Sequence, residues 1–254
     1  MRVLHVLSSF ATDASGFGVT ELSQLLGMTK NMTYRALNTL VEQSYLMRDP
    51  NGARYRLGFR ILELQSPYSL ESDLRMLCAP FVSKIQDLTG ESISVCVRAM
   101  DYCVIIDGVE TRKPSVWRIR VGDILPLFGP AAGRVMLAYS SDDWITDYIE
   151  RHAPLRHPRT GQEISPEFLR KQIGQIRELG YCRVMRASLD QMDSVSFPIH
   201  DLDGGLHGAI SVGGPAERFT AQLDAQLPAI IEIIQLLNNR TRLFSADFTG
   251  SELN

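Results

Sequence analysis

Apolar residues near the start of the chain recur at intervals of three and four, the spacing that collects them on one face of a helix. Val3, Leu4, Val6, Leu7 and Phe10 predict a first helix over 2–10. Leu22, Leu25 and Leu26 predict a short second one, Glu21 to Leu26, capped by Thr20 and stopped by Gly27. Thr29 caps a third helix running to about Ser44, with Ala36, Leu37, Leu40 and Val41 as its inward stripe. Helix, turn at Gly27-Met28, helix is the pattern of a helix-turn-helix. The period then changes to two. Tyr45-Leu46-Met47-Arg48 and Ala53-Arg54-Tyr55-Arg56-Leu57 flank Asp49-Pro50-Asn51-Gly52, and Asn-Gly accepts the positive φ of a tight hairpin. A hairpin at this point is a wing.

Gly58 to Leu64 predicts a short helix broken by Ser66-Pro67, which places a domain boundary near 66–69. The expected division is residues 1–65 and 66–254. Leu70, Leu74, Leu77, Phe81, Val82, Ile85 and Leu88 mark a linker helix over about 70–89, stopped by Gly90 and expected to kink or re-enter at Pro80. Strands and helices then alternate. Ile93–Arg98 and Cys103–Val109 form a hairpin turned at Ala99–Asp101, and Val116–Val121 is a further strand. Helices are expected at Ala131–Tyr139, Asp143–Arg151 and Pro166–Leu179, the last closed by Gly180. Tyr181–Arg186, Val195–Ile199 and Leu206–Val212 read as strands, with a turn at Asp201–Gly205 between the last two. Leu223, Leu227, Ile230, Ile231, Ile234 and Leu237 mark a terminal helix, frayed from Ser245. The class is α+β.

Charge changes the picture more than composition does. Residues 1–60 carry seven basic side chains against four acidic, a surplus of three. The remainder is therefore six units negative within a net charge of −3. A basic segment on an acidic body suits contact with phosphates. The outer face of the third helix presents Asn31, Tyr34, Arg35, Asn38 and Glu42, types that include donors and acceptors for base edges and phosphates. Alone this would be an ordinary solvated face. Beside a wing carrying Arg54 and Arg56 it becomes a DNA-reading surface, with Thr29, Lys30, Asn31, Thr33, Tyr34, Arg35, Asn38, Arg54 and Arg56 as candidate contacts.

Other chemistry finds little support. Ser194, Ser196, His200, Asp201 and Asp203 cluster in sequence without a nucleophile elbow or a nucleophile–base spacing, so no enzyme is expected. His152, His157, His200 and His207 match no metal-ligand pattern, and there is no phosphate-binding Gly-rich loop; neither metal nor cofactor is expected. Cys78, Cys96, Cys103 and Cys182 lie apart, which is reduced, cytoplasmic usage, although one disulfide between Cys96 and Cys103 across their hairpin is conceivable. No apolar run reaches membrane-spanning length, and the first ten residues do not read as a signal peptide.

The stretch "GVTELSQLLGMTKNMTYRALNTLVEQSYLMRDPNGARYRLGFRILEL" resembles the DNA-binding domain of the IclR (isocitrate lyase regulator) family of transcriptional regulators. "RVGDILPLFGPAAGRVMLAY", "RELGYCRVM" and "FPIHDLDGGLHGAISVGGPAERFT" follow in that family's order, so the likeness covers nearly the whole chain. It implies a winged helix-turn-helix joined by a helical linker to a GAF-like α/β domain that binds small organic acids. It further implies a ligand pocket built from Phe128, Gly129, Ala131, Ala132, Val184, Arg186, Ser194, Ser196, Ser211 and Gly213. The partners implied are a palindromic double-stranded DNA operator, a small organic acid effector, and further copies of the chain as a homodimer or tetramer. Repression is the family's more frequent mode. Activation, and a sensor or scaffold that has lost DNA binding, are the alternatives. The pocket departs from the family, which usually has His at Phe128, Lys at Arg134 and a second serine at Gly213. Arg186 either faces an acidic ligand or lies outside the sheet.

Overall fold

The computed structural model describes residues 2–11, 15–49, 54–65, 69–115, 118–157, 161–185, 192–201 and 204–249. The chain divides into two compact units, Met1–Leu70 and Glu71–Asn254.

The first unit holds α1 (Arg2–Ser9), α2 (Val19–Leu25), α3 (Lys30–Glu42), a hairpin of β1 (Leu46–Arg48) and β2 (Tyr55–Leu57), and α4 (Arg60–Gln65). Val6, Phe10, Phe17, Leu22, Leu37, Leu40, Leu46 and Tyr55 form its core, with the Phe10 and Phe17 rings edge to face at 5.3 Å. The expected stripe on α3 is therefore the buried one. Thr29 caps α3 as expected, its hydroxyl accepting the Met32 N–H at 3.3 Å. Removing a cap of this kind costs about 1 kcal/mol, so Thr29→Ala should lower the unfolding free energy of the full chain by that much, seen as a lower urea midpoint at an unchanged slope.

Three local expectations are corrected here. The cap of α2 is Gly18, not Thr20: the Glu21 carboxylate reaches back to the Gly18 N–H at 3.3 Å, and the helix starts at Val19. The third helix stops at Glu42 instead of about Ser44, because Ser44 takes a positive φ of 63° and its N–H turns to the Val41 carbonyl. The hairpin gains a third, isolated partner, since Phe17 and Tyr55 exchange backbone hydrogen bonds at 3.0 and 2.9 Å. The Asn51-Gly52 turn lies outside the described residues.

The second unit is a six-stranded antiparallel sheet with helices on both faces. Its elements are α5 (Ser69–Thr89), β3 (Ser92–Ala99), β4 (Tyr102–Val109), β5 (Ile124–Pro126), α6 (Ala131–Ala138), α7 (Asp142–His152), α8 (Pro166–Leu179), β6 (Cys182–Val184), β7 (Met192–His200), β8 (Leu206–Pro215) and α9 (Ala216–Thr249). The strand order is β5-β4-β3-β8-β7-β6. Alternation along each strand divides the side chains between two cores. Ile93, Val95, Val97, Val195, Phe197, Ile210 and Val212 pack with Leu74, Phe81 and Ile85 of α5 and Phe219, Leu223 and Ile230 of α9. Cys96, Cys103, Val184 and Ala209 pack with α6, α7 and α8 on the opposite face.

Pro80 sits inside α5, which continues through it as one element, and α9 remains helical to Thr249 instead of fraying from Ser245. The strand expected over Val116–Val121 is not formed by its described residues 118–121. The Glu110 carboxylate takes the Ile119 N–H at 3.0 Å and pairs with Arg118 at 2.9 Å, so the backbone there is satisfied off the ladder. The edge position goes to β5, whose Ile124 pairs with Val104. Cys96 and Cys103 are free thiols: the register sets Cys96 opposite Ile105 and Cys103 opposite Arg98, a diagonal and not a facing pair.

Candidate DNA-reading surface and effector site

On the first unit, α3 exposes Asn31, Tyr34 and Arg35 and half-buries Asn38, while Lys30 is exposed at its first turn. Lys30 and Arg35 form no ion pair among the described residues. The Tyr34 hydroxyl is held below its ordinary range by a hydrogen bond with Asn38 and by the neighbouring Arg48 guanidinium. Tyr34, Asn38 and Arg48 are thus one polar cluster joining helix to wing. Arg48 also lies over the Tyr55 ring at 5.2 Å. It was absent from the sequence-predicted contacts, although its place three residues before Asn51-Gly52 made it the wing's first basic residue.

Two predicted contacts sit differently. Thr33 is fully buried and donates its hydroxyl to the Thr29 carbonyl at 3.1 Å, so it supports the helix from inside and cannot reach a groove. Arg54 donates to the Gly16 carbonyl and pairs with Glu21 at 3.1 Å, which ties the wing to the start of α2. Arg56 is more exposed and pairs with Asp49 at 3.1 Å.

On the second unit, the sheet register sets five of the predicted residues, Val184, Ser194, Ser196, Ser211 and Gly213, on neighbouring strand positions. Ser211 of β8 lies opposite Ser94 on one side and Ser196 on the other, and the Ser196 and Ser211 hydroxyls are hydrogen-bonded. One row along, Gly213 lies opposite Ser194, and Ser194 opposite Val184. By the same alternation these residues share the face covered by α6, α7 and α8. Ser94 was not foreseen. Its signal was the alternation Ile93-Ser94-Val95-Cys96-Val97, which puts Ser94 and Cys96 on the face opposite the aliphatic residues.

Helix α6 lies against β6, β7 and β8, and every one of its residues is buried. Its N-cap is Pro130, which offers no side-chain acceptor. The N–H groups of Ala131, Ala132 and Gly133 therefore begin the helix without intrahelical partners. Gly133 is required by close approach: a Cβ there would meet the Leu127 carbonyl oxygen at 2.4 Å. Phe128 is buried in the same cluster as Ala131 and Ala132. Arg186 lies outside the described residues.

The turn before α6 is fixed by Tyr148, whose hydroxyl accepts the Leu127 N–H at 3.0 Å. Burial pushes the Tyr148 phenol up to about 12, so it stays neutral. Trp144, Tyr148 and His152 stack along α7 at ring separations of 5.2 and 4.2 Å, and Arg98 lies 3.7 Å above Trp144. Tyr148→Phe would leave the buried Leu127 N–H without an acceptor, a loss of about 1–2 kcal/mol readable as a lower midpoint in urea unfolding.

A helix-turn-helix with a wing, and a separate α/β domain with a buried polar site, define a transcriptional regulator with a DNA-binding and an effector domain. Residues 68–236 match the family described as Bacterial transcriptional regulator IclR C-terminal, and residues 1–50 match the IclR helix-turn-helix domain. The chain belongs to the IclR family, whose members are transcriptional regulators and not enzymes. It is 23% identical over 219 residues to the HTH-type transcriptional repressor AllR of Escherichia coli K12, covering 86% of this chain and 80% of that protein. It is 24% identical over 235 residues to the regulator XynR of the same strain, covering 92% and 91%. In structure it is similar to an IclR homolog from Microbacterium hydrocarbonoxydans complexed with 4-hydroxybenzoate, with a TM-score of 0.80 at 20% identity over 95% of this chain and 98% of that one. The IclR of Thermotoga maritima gives 0.75 at 20% identity over 95% and 97%. At these identities the structural likeness establishes the fold. Among the described residues no helix is long and apolar enough to cross a membrane.

Proposed function

We propose that the chain is a cytoplasmic repressor whose affinity for a palindromic operator changes when a small organic acid, aromatic acids included, occupies the second domain. The observation that carries this reading is an uncapped first turn on α6, a helix packed on β7 and β8, the two strands whose Ser196 and Ser211 hydroxyls pair in the core. N–H groups at a helix start attract a carboxylate, and hydroxyls beside them add donors. The acid's site comprises Phe128, Gly129, Ala131, Ala132, Val184, Ser194, Ser196, Ser211 and Gly213. Support comes from the relative named as a repressor and from the neighbour complexed with 4-hydroxybenzoate. On the first unit, Lys30, Asn31, Tyr34, Arg35, Asn38 and Arg48 meet the DNA.

One recognition helix spans only a few base pairs, so specificity calls for two copies on paired half-sites, as a homodimer or a pair of dimers. The test has two parts. A thermal-shift screen of organic and aromatic acids identifies the ligand, since a molecule that binds only the folded state raises the midpoint. A gel shift on the upstream region of the chain's own gene then reads operator affinity with and without it. Tighter binding without the acid supports repression relieved by ligand, and light scattering should give at least a dimer. No retarded band at low salt would overturn the DNA-binding reading.

A further inference from the structure

Arg134 of α6 keeps only 5% of its surface exposed. Its Nε donates to the Phe128 carbonyl at 2.9 Å and its Nη1 to the Gln172 side-chain oxygen. Neither acceptor is charged. Among the described residues no carboxylate lies within ion-pair distance of the guanidinium. The Cys182 thiol acts on it electrostatically, but burial pushes that thiol up to about 12, so it stays neutral and is no counter-ion. Arginine does not shed its proton, and a buried charge without a partner is costly. The likewise buried Glu91 is neutralised by Arg218 at 2.6 Å, which makes the isolation of Arg134 more telling.

Arg134 forms part of the wall of a cavity of about 550 Å³. Ile164, Phe168, Val184 and Met185 give that cavity apolar sides, and Gln162 and Gln172 add amides. Glu163 is also at the cavity, but it is exposed and pairs with Arg156 at 3.6 Å. The space thus offers mixed walls, with His157 and Ser165 among the polar ones, around one buried cation that has no carboxylate partner among the described residues.

We propose that this cavity binds a small carboxylic acid with an apolar body, its carboxylate meeting Arg134. The inference rests on the reading of this unit as an effector domain, but it names a different place: of the α6–serine site only Val184 belongs to the cavity. A guanidinium meets a carboxylate through charge-assisted, planar hydrogen bonds. The ligand supplies a counter-charge that no described carboxylate provides.

The experiment titrates the full chain with benzoate and with its uncharged isostere benzamide, followed by calorimetry. Benzoate should bind about tenfold tighter or more. Arg134→Gln, which keeps an N–H for the Phe128 carbonyl, should erase that preference, and Arg134→Lys should keep part of it. Circular dichroism checks that each variant is folded. As a measurement needing no variant, the ¹⁵N resonance of the Arg134 guanidinium should move on adding benzoate to the wild type. Equal affinity for the two probes, no saturable benzoate binding at millimolar concentration, or a stationary guanidinium resonance would each overturn the proposal. A Ser211→Ala arm separates it from the reading beneath it. Benzoate binding lost in Ser211→Ala yet intact in folded Arg134→Gln puts the carboxylate at the start of α6, keeping the effector reading and overturning this one. Binding intact in both variants overturns both.

Discussion

Ala132→Glu is expected to abolish the response to the effector while leaving operator binding within about twofold of wild type. Ala132 is 2% exposed and lies in the first turn of α6, where the N–H groups lack partners. A glutamate there places a negative charge where the acid's carboxylate belongs, and adds bulk in the packed cluster that holds Phe128. The DNA-reading residues belong to the other compact unit, so their own contacts are not altered. An effector moves DNA affinity only by binding two conformations unequally, so a chain that cannot bind it cannot respond. The measurement is operator affinity with and without the acid found by thermal shift. Because Glu must fit a packed site, Ser196→Ala serves as a gentler second variant: it removes one hydroxyl and should weaken the acid's half-effect concentration about tenfold with the fold intact. A full response in both folded variants would remove the acid from this site.

How far the sequence could be read differs between the units for a physical reason. The first is made of short-range signals. Thr29 at a cap, the Ala36, Leu37, Leu40 stripe and a hairpin around Asn-Gly each declare themselves within a few residues, and all but the turn are seen as expected. Gly18 as the cap of α2 escaped because the acceptor came from Glu21, three residues on, and not from a side chain at the cap itself. The second unit's site depends on pairing at long range. Ser94 meets Ser211 across β3 and β8, and Ser211 meets Ser196 across β8 and β7, so no local window contains the row. Family resemblance supplied two of its three positions, Ser196 and Ser211, and the register supplied Ser94. Within the expected Val116–Val121 strand, the described residues 118–121 stay off the ladder, and the Ile119 N–H goes instead to Glu110, a carboxylate at the end of the preceding hairpin. Arg134 was visible only as a departure from the family. Its isolation is a property of what surrounds it in space, and that includes Gln172 on α8.

Arg35→Ala and Arg54→Ala should separate two kinds of contribution to DNA binding. Arg35 is exposed on the outer face of α3 and forms no ion pair among the described residues, so its guanidinium is available to a base edge. Its removal should cost about 1–3 kcal/mol on the operator, relax preference at one base position, and leave binding to random-sequence DNA nearly unchanged. A phosphate ligand with no other partner would behave otherwise, weakening all sequences alike and flattening the salt slope by about one unit. Arg54 fits that description by sequence, yet its guanidinium already holds Glu21 at 3.1 Å and the Gly16 carbonyl. A cation neutralised within the protein displaces less of the counterion atmosphere. Arg54→Ala should therefore weaken operator and random DNA by one shared factor, leave the salt slope close to wild type, and lower the unfolding free energy through the loosened wing by about 1 kcal/mol, read as a lower urea midpoint. Filter binding on both DNAs across a salt series, with urea unfolding of each variant, reads all of these quantities. A salt slope flattened by a full unit in Arg54→Ala would mean that the arginine leaves Glu21 for a phosphate on the DNA, and equal losses on both DNAs in Arg35→Ala would place that side chain on the backbone and not on a base.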